Sequence, residues 1–391
     1  MSSLLYLDHA AATPLDPAVL KAMLPYLQRD FANPSSLYQA ARETRQSVEA
    51  ARSTISKVLG AKPTEIVFTS GGTEANNLAV QGPLSAHPGA HWVTPAIEHD
   101  SVLSQVEPMR RADHPATMVP LKPNGIVDLQ AVREAVTDSV VLISVMMANN
   151  EIGTVQPVAE IGKMVAKLRE ERAARGVKLP LYLHTDACQA PSYLDLHVAR
   201  LGVDLLSLNG SKIYGPKGAG ALYIRTGTTL EPLLYGGGQE RGRRSGTENV
   251  AGAAGLAKAL ELAAGRRAAE GKRLAPLRDD LARRLLAAIP GASLNGDPRR
   301  RLPNNLSLTI PGAEGEALVL YLDNAGIQAS TGSACSTGSL DPSHVLTAIG
   351  RTPAEAQCSL RLTLGRGTSA ADADLVAKLL PGIAARVREL G

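Results

Sequence analysis

LLSLNGSKIYGPKGAG, residues 205–220, is the stretch from which the fold reads outward. An apolar run ends in Asn209-Gly210-Ser211, Lys212 follows, and a Gly/Pro-rich turn leads into a second apolar run, ALYI at 221–224. Short apolar runs bounded by turn residues are the mark of buried strands. A lysine at the end of such a strand sits in an uncommon place for a solvated cation. Its stem either snorkels along apolar surface or its amine takes part in chemistry. Standing alone, Lys212 would read as a surface turn residue.

It does not stand alone, because HTDACQA at 184–190 places Asp186 after another apolar run. The same kind of run recurs as IVFTS (66–70), HWVTP (91–95), ATMVP (116–120), VVLISVMM (140–147), LYLHT (181–185) and DLLSL (204–208). Helical stretches separate several of them, 158–175 being the clearest, and helices are also expected over 17–28 and 37–59. Strands alternating with helices predict an α/β fold with a mostly parallel central sheet. In such sheets ligands bind beyond the carboxyl ends of the strands, which is where the chemistry-bearing residues fall. After Gly236-Gly237-Gly238 the composition turns to Ala, Leu and Arg, and a long helix is expected from about 248 to 285. The expected organisation is a large domain over 16–260 and a smaller α+β domain formed by 1–15 with 261–391.

Composition narrows the function. With 391 residues and 44% apolar side chains the chain can bury a large core. A net charge of +4, from 41 basic and 37 acidic residues, gives no push toward nucleic acid, and two Phe and one Trp leave little surface for stacking on bases. Cys188, Cys335 and Cys358 make neither a disulfide framework nor a zinc spacing, so no metal site is expected. There is no leader-like start and no apolar run of the length that a membrane helix needs, so the expectation is a cytoplasmic protein.

Several short motifs carry candidate chemistry. Ser70-Gly71-Gly72-Thr73-Glu74 joins a strand to a helix, where free N–H groups favour an anion; an ordinary turn would look the same. Ile97-Glu98-His99 follows the HWVTP strand, and Asn149-Asn150-Glu151-Ile152-Gly153 ends the most apolar one. Two buried amides in a row imply a tight turn or a polar ligand. Arg241-Gly242-Arg243-Arg244-Ser245-Gly246-Thr247 reads either as a basic surface loop or as an anion contact. ASTGSACSTGS at 329–339 sets Cys335 among small residues that can pack little apolar surface, unlike the usual buried cysteine. A lysine able to form a Schiff base and an acid for a pyridine nitrogen are together the pair that a pyridoxal phosphate site needs.

On these residues the chain resembles the NifS/IscS-like cysteine desulfurases, class V members of the aminotransferase superfamily. Residues 211–218 are similar to the family's "HKIYGPKG" and YLDHAAATP at 6–14 to "YLDNAATTP"; SGGTE matches "SGATE", NNEIG is shared, and SLRLTLGR at 359–366 is similar to "IRFSLGR". The resemblance implies the fold of the pyridoxal-phosphate-dependent transferases (fold type I). It implies that Lys212 holds pyridoxal 5'-phosphate, Gly72 and Thr73 bind its phosphate, and Asp186 keeps the ring nitrogen protonated. Gln189 would bond the ring hydroxyl, and His99 would stack on the ring and move protons. Asn150 would contact cofactor and substrate, Arg361 the substrate carboxylate, and Thr247 the phosphate held by the other subunit of a homodimer. Cys335 would be the nucleophile, while Cys188 and Cys358 read as structural. Where the family has "S-(G/A)-H-K", this chain has Asn209-Gly210-Ser211-Lys212; Asn209 and Ser211 still donate hydrogen bonds, but a positive charge is lost.

The activity implied is removal of sulfur from L-cysteine, leaving alanine and a persulfide on Cys335. The persulfide would serve an acceptor protein, an iron–sulfur scaffold or a thiolation protein. The alternatives are a selenocysteine lyase, a class V aminotransferase that would not need Cys335, and a non-catalytic sulfur carrier built on the same fold. Retention of Lys212, Asp186 and His99 together argues against the carrier.

Overall fold

The computed structural model describes residues 4–332 and 342–390. After the two-residue strand β1 (Leu5–Tyr6), the apolar runs become β2 (Ile66–Thr69), β3 (His91–Pro95), β4 (Ala116–Val119), β5 (Val140–Ser144), β6 (Tyr182–Asp186), β7 (Leu205–Asn209) and β8 (Gly220–Ile224). β2 to β8 form one sheet in the order β2-β8-β7-β6-β5-β3-β4. Neighbours from β7 across to β4 run parallel, and β8 is antiparallel to both β7 and β2. The expected mostly parallel sheet is present, with β8 as the strand of opposite sense.

Both faces of the sheet are covered, which is why β5, β6 and β8 are buried along their whole length instead of alternating with polar residues. Consecutive strand residues point to opposite faces. Ile66, Ile143, Leu183 and Leu206 thus join one core with Val158, Ile161 and Val165 of the helix Val158–Ala174. Val67, Leu142, Tyr182 and Leu205 join another with Ala75, Leu78 and Ala79 of the helix Gly72–Ser85.

The first helix, Pro17–Gln28, starts where Asp16 accepts a hydrogen bond from the Ala18 N–H at 2.9 Å and a proline supplies a φ already suited to the first turn. The expected helix at 37–59 begins at Gln39 instead, its face buried through Val48, Ala51, Ile55 and Leu59. The expected strand at 140–147 stops at Ser144. Val145 and Met147 still donate to the carbonyls of His184 and Asp186, but the Met146 N–H turns to the Glu98 carboxyl group. A side chain thereby takes a bond that a continuing strand would have used.

The long helix runs Val250–Ala288, 39 residues, with Asn249 accepting from Gly252 N at its start. At 1.5 Å per residue it spans about 58 Å, enough to belong to two cores. Leu256 and Leu260 pack into the sheet core, and Leu274, Leu281 and Leu285 into a separate one with Leu5, Leu7, Leu306, Leu360 and Leu380. That second core is built on β9 (Ser293–Leu294), β10 (Asn305–Thr309) and β12 (Ser359–Thr363), antiparallel in the order β12-β10-β9. Between them in sequence, β11 (Ile327–Gln328) pairs in parallel with β1, so the two ends of the chain share one core.

Leu281 is 1% exposed in that core, whereas Leu320 is 65% exposed. Leu281→Ala should cost about 2–5 kcal/mol of stability, and Leu320→Ala less than about 0.5 kcal/mol. Denaturant titration of both variants checks this; equal midpoints would contradict the assignment of the second core.

Candidate active site

The carboxyl ends of β5, β6 and β7 open onto a cleft of about 380 Å³. Gly72, Thr73, His99, Asn150, Asp186, Gln189, Asn209, Lys212 and Arg361, each singled out in the sequence, all line it. Ser211 stands between Asn209 and Lys212 in the same turn. Cys335 lies outside the described residues.

Lys212 closes the 3-10 turn Gly210–Lys212 that follows β7. That turn is clasped from the amino-terminal segment. Thr13 donates to the Ser211 carbonyl through its N–H and its hydroxyl, both at 2.9 Å, and its hydroxyl accepts the Tyr214 N–H at 2.7 Å. Tyr214 is thereby held at φ +62°, a left-handed conformation uncommon for a non-glycine residue. The Lys212 ammonium donates to the Ala11 carbonyl. The glycines of the turn serve close approach: a Cβ on Gly220 would come within 2.7 Å of the Gly71 backbone.

Asp186 ends β6 and is 7% exposed. Its Oδ1 accepts the Cys188 N–H at 2.8 Å and its Oδ2 accepts Asn76 Nδ2 at 2.6 Å. His184, two residues earlier, points to the same face of the sheet. Its ring bridges Ser144 Oγ (2.9 Å) and Ser207 Oγ (3.0 Å) across three strands. Burial lowers its pKa to about 4, keeping it neutral beside Asp186. Gln189 Nε2 donates to the Ala10 carbonyl at 3.0 Å.

The phosphate-cradle motif is the first turn of the helix Gly72–Ser85. A Cβ on Gly72 would lie 2.7 Å from Cys188 Sγ and 3.3 Å from Asn209 Cβ, so no larger residue fits there without displacement. Asn209 Oδ1 accepts from both the N–H (3.1 Å) and the hydroxyl (3.0 Å) of Ser211, which ties the two replacement residues to each other. Cys188 is buried, as expected, but it also lines the cleft; burial, then the charge of Asp186, push its thiol pKa well up. Cys358 is partly buried and away from the cleft lining.

Of the paired asparagines, Asn149 is structural. Its side chain donates to the Ile97 carbonyl at 2.8 Å and accepts the N–H groups of Glu151 and Ile152. Asn150 faces the cleft. Arg361, 2% exposed on β12, donates to Asp8 Oδ1 at 2.7 Å and to the carbonyls of Asn150 and Gly332, each at 3.1 Å. Its Nε has no hydrogen-bond partner among the described residues. Thr247 is not in this cleft. It lines a separate one, about 180 Å³, with Phe68, Glu240, Arg244 and Asn249.

Three residues of the site escaped the sequence reading. Asn76 and Ser101 line the cleft and bond to each other; Asn76, one turn along from Gly72, could have been found from helical spacing. Glu98, fully buried beneath His99, gives no sequence signal that separates it from a surface glutamate. Its Oε1 accepts the Met146 N–H, and Oε2 has no partner among the described residues. Burial first, then the charge of Asp186, push its carboxyl up to about 8.

Comparison with known proteins places this geometry among relatives. The Aminotransferase class-V family model matches residues 5–376. "Cysteine desulfurase IscS" of Clostridium botulinum (strain Hall) is 44% identical over 394 residues, covering 100% of this chain and 96% of that protein. A solved "NifS-like protein" superposes with a TM-score of 0.89 at 32% identity, covering 98% of this chain and 100% of that one. A structure of "SspA in complex with cysteine" has a TM-score of 0.78 at 35% identity, covering 92% of this chain and 98% of the other.

The raised Glu98 carboxyl has a stability signature. The folded state holds a proton there that the unfolded chain has lost, so stability falls as pH rises from about 4.5 to about 8 and levels off above. Glu98→Gln keeps the acceptor for Met146 and removes the titration. The variant should lose less stability than the parent over that interval in pH-dependent thermal melts; parallel pH dependence would refute a buried, protonated Glu98.

Proposed function

The chain belongs to the class-V aminotransferase family, and from that premise we propose that it is a pyridoxal-phosphate-dependent cysteine desulfurase of the NifS/IscS-like group. The observation that carries the reading is the convergence of Lys212, Asp186 and His99 on one cleft with Arg361. The residues fit the cofactor. The buried Asp186 carboxyl, oriented by hydrogen bonds accepted at both oxygens, is an acceptor suited to a ring N–H. The glycine start of a helix is shaped so that a Cβ would obstruct it, which suits close approach of a phosphate. Gly72, Thr73, Asn209 and Ser211 would hold the phosphate, Gln189 the ring hydroxyl, His99 the ring face and Lys212 the aldehyde carbon.

When bound, pyridoxal phosphate supplies an electron sink for the substrate Cα. Arg361 and Asn150, which both line the cleft, orient L-cysteine by its carboxylate, for which a planar guanidinium is a suited donor. The Lys212 amine takes the Cα proton. The Cys335 thiolate then attacks the substrate sulfur: a sulfur–sulfur bond forms, the carbon–sulfur bond breaks, its electron pair and a proton end on Cβ, and the Lys212 ammonium returns a proton to Cα. Thiol and cysteine become persulfide and alanine, with no outside oxidant. The acceptor of the persulfide sulfur is a protein of iron–sulfur assembly or thiolation.

A homodimer belongs to the same proposal. Thr247 lies outside its own chain's cleft, and Phe31, Leu37 and Tyr235 stand 78%, 87% and 77% exposed, apolar surface that a second copy would cover. The division at 16–260, with 1–15 joined to 261–391, is supported by the two separate cores. No helix among the described residues is long and apolar enough to cross a membrane, and no metal-binding cluster occurs among them; a cytoplasmic location is part of the proposal.

Two experiments test this reading. Lys212→Ala should abolish alanine formation and the borohydride-reducible link to the cofactor. Cys335→Ala should keep the yellow colour and its shift on adding cysteine while making almost no alanine. Sulfide release at the parent rate by Cys335→Ala would favour a lyase. The shared site is tested by mixing inactive Lys212→Ala with impaired Thr247→Ala subunits. Hybrid dimers then contain one complete site and should recover alanine formation; no recovery in proven hybrids would place Thr247 outside the site.

A further inference from the structure

A continuous hydrogen-bonded chain crosses the floor of the cleft. Asn76 Nδ2 donates to Asp186 Oδ2 at 2.6 Å and to Ser101 Oγ at 2.8 Å. Ser101 Oγ is 2.8 Å from His99 Nδ1, and the Ser101 backbone N–H donates to the same nitrogen at 3.0 Å. Asn76 is 1% exposed, Ser101 8% and Asp186 7%, so water does not substitute readily for any of these bonds.

Donor and acceptor roles are set from the two ends of the chain, by the Asp186 carboxylate and by the Ser101 backbone N–H. A carboxylate accepts only, so the Asn76 group facing Asp186 is its NH2, and a flipped amide would set two oxygens against each other. The amide spends its two protons on Asp186 and Ser101. Ser101 Oγ accepts from Asn76 and gives its one proton to His99 Nδ1, because the Ser101 backbone N–H already makes that nitrogen an acceptor. A backbone N–H donates only, so Nδ1 is an acceptor from that side as well. The neutral imidazole therefore carries its proton on Nε2.

We infer that Asn76 is a positioning residue of this active site: one buried amide orients the Asp186 carboxylate and, through Ser101, fixes the His99 proton on Nε2. In the resting state His99 is then a proton donor at Nε2. Protonation at Nδ1 would oppose the Ser101 N–H and reverse the serine hydroxyl. The inference deepens the desulfurase reading, and rests on it where His99 is given a proton to deliver; the tautomer itself does not depend on it. The stacking histidine and the ring-nitrogen carboxylate, assigned separately from sequence, are coupled through one amide.

The test is nitrogen NMR of the cofactor-loaded enzyme labelled with 15N-histidine, with the His99 signals identified by their loss in His99→Gln. The parent should show an unprotonated Nδ1 and a protonated Nε2. Asn76→Leu removes both amide bonds and with them the donor that orients the Ser101 hydroxyl toward His99, so a population protonated at Nδ1 should appear. Its kcat for alanine formation should fall by about 10-fold or more, the range in which a misplaced acid–base group acts, with a smaller change in KM because Arg361 is untouched. Ser101→Ala should shift the tautomer in the same direction, and Ser101→Thr, which keeps the hydroxyl, should hold it. A parent His99 protonated at Nδ1 overturns the inference. So does a His99 tautomer unchanged in both Asn76→Leu and Ser101→Ala. If the tautomers behave as stated while the parent makes no alanine, the positioning role stands and the desulfurase reading falls.

Discussion

A carboxyl group buried at the end of a central strand must be given hydrogen-bond partners, and much of this structure answers that requirement at Asp186. One oxygen is held by the Cys188 backbone, which fixes the turn after β6. The other is held by Asn76, which fixes the helix that begins at the glycine cradle. Beneath it, His184 is kept neutral between two serines, so no second charge enters the sheet at that level. Glu98 would be such a charge, and its carboxyl is pushed up far enough to remain protonated near neutrality. A mostly parallel sheet with both faces covered supplies the dry environment in which electrostatic interactions in a cleft are strong.

A second constraint joins the two cores. Arg361 lies on β12 of the second core, yet its guanidinium reaches Asp8, Asn150 and Gly332. Thr13, a few residues after Asp8, clasps the turn that carries Lys212. The amino-terminal segment therefore ties the turn of the lysine to the arginine through hydrogen bonds made at Thr13 and Asp8. Such a scaffold fits a reaction in which a small amino acid is held by its carboxylate while its Cα meets a fixed amine.

The strands and helices were legible because each apolar run was bounded by turn residues: the Pro17–Gln28 helix and the His91–Pro95 strand fall where the pattern put them. The strand from 140 failed at its end because Glu98, more than forty residues earlier, takes the Met146 N–H, and no local pattern announces that. Lys212, Asp186, His99, Asn150 and Arg361 were named from motifs and do share one cleft. What the motifs could not give was the amide beneath them. Asn76 looks like one of two ordinary asparagines in a helix until the fold sets it against β6, whereas Asn77 donates to backbone carbonyls, those of Thr73 and Ser101. Cys188 was read as buried and is, but its thiol also forms part of the cleft wall beneath Gly72, which only the packing discloses.

The most direct measurement is peptide mass spectrometry of the cofactor-loaded enzyme after brief exposure to L-cysteine without an acceptor. The account predicts one added sulfur on the peptide containing Cys335, removable by a reducing agent, with alanine formed in matching amount and no sulfur on Cys188 or Cys358. Alanine and free sulfide produced with Cys335 unmodified at every time point would contradict it.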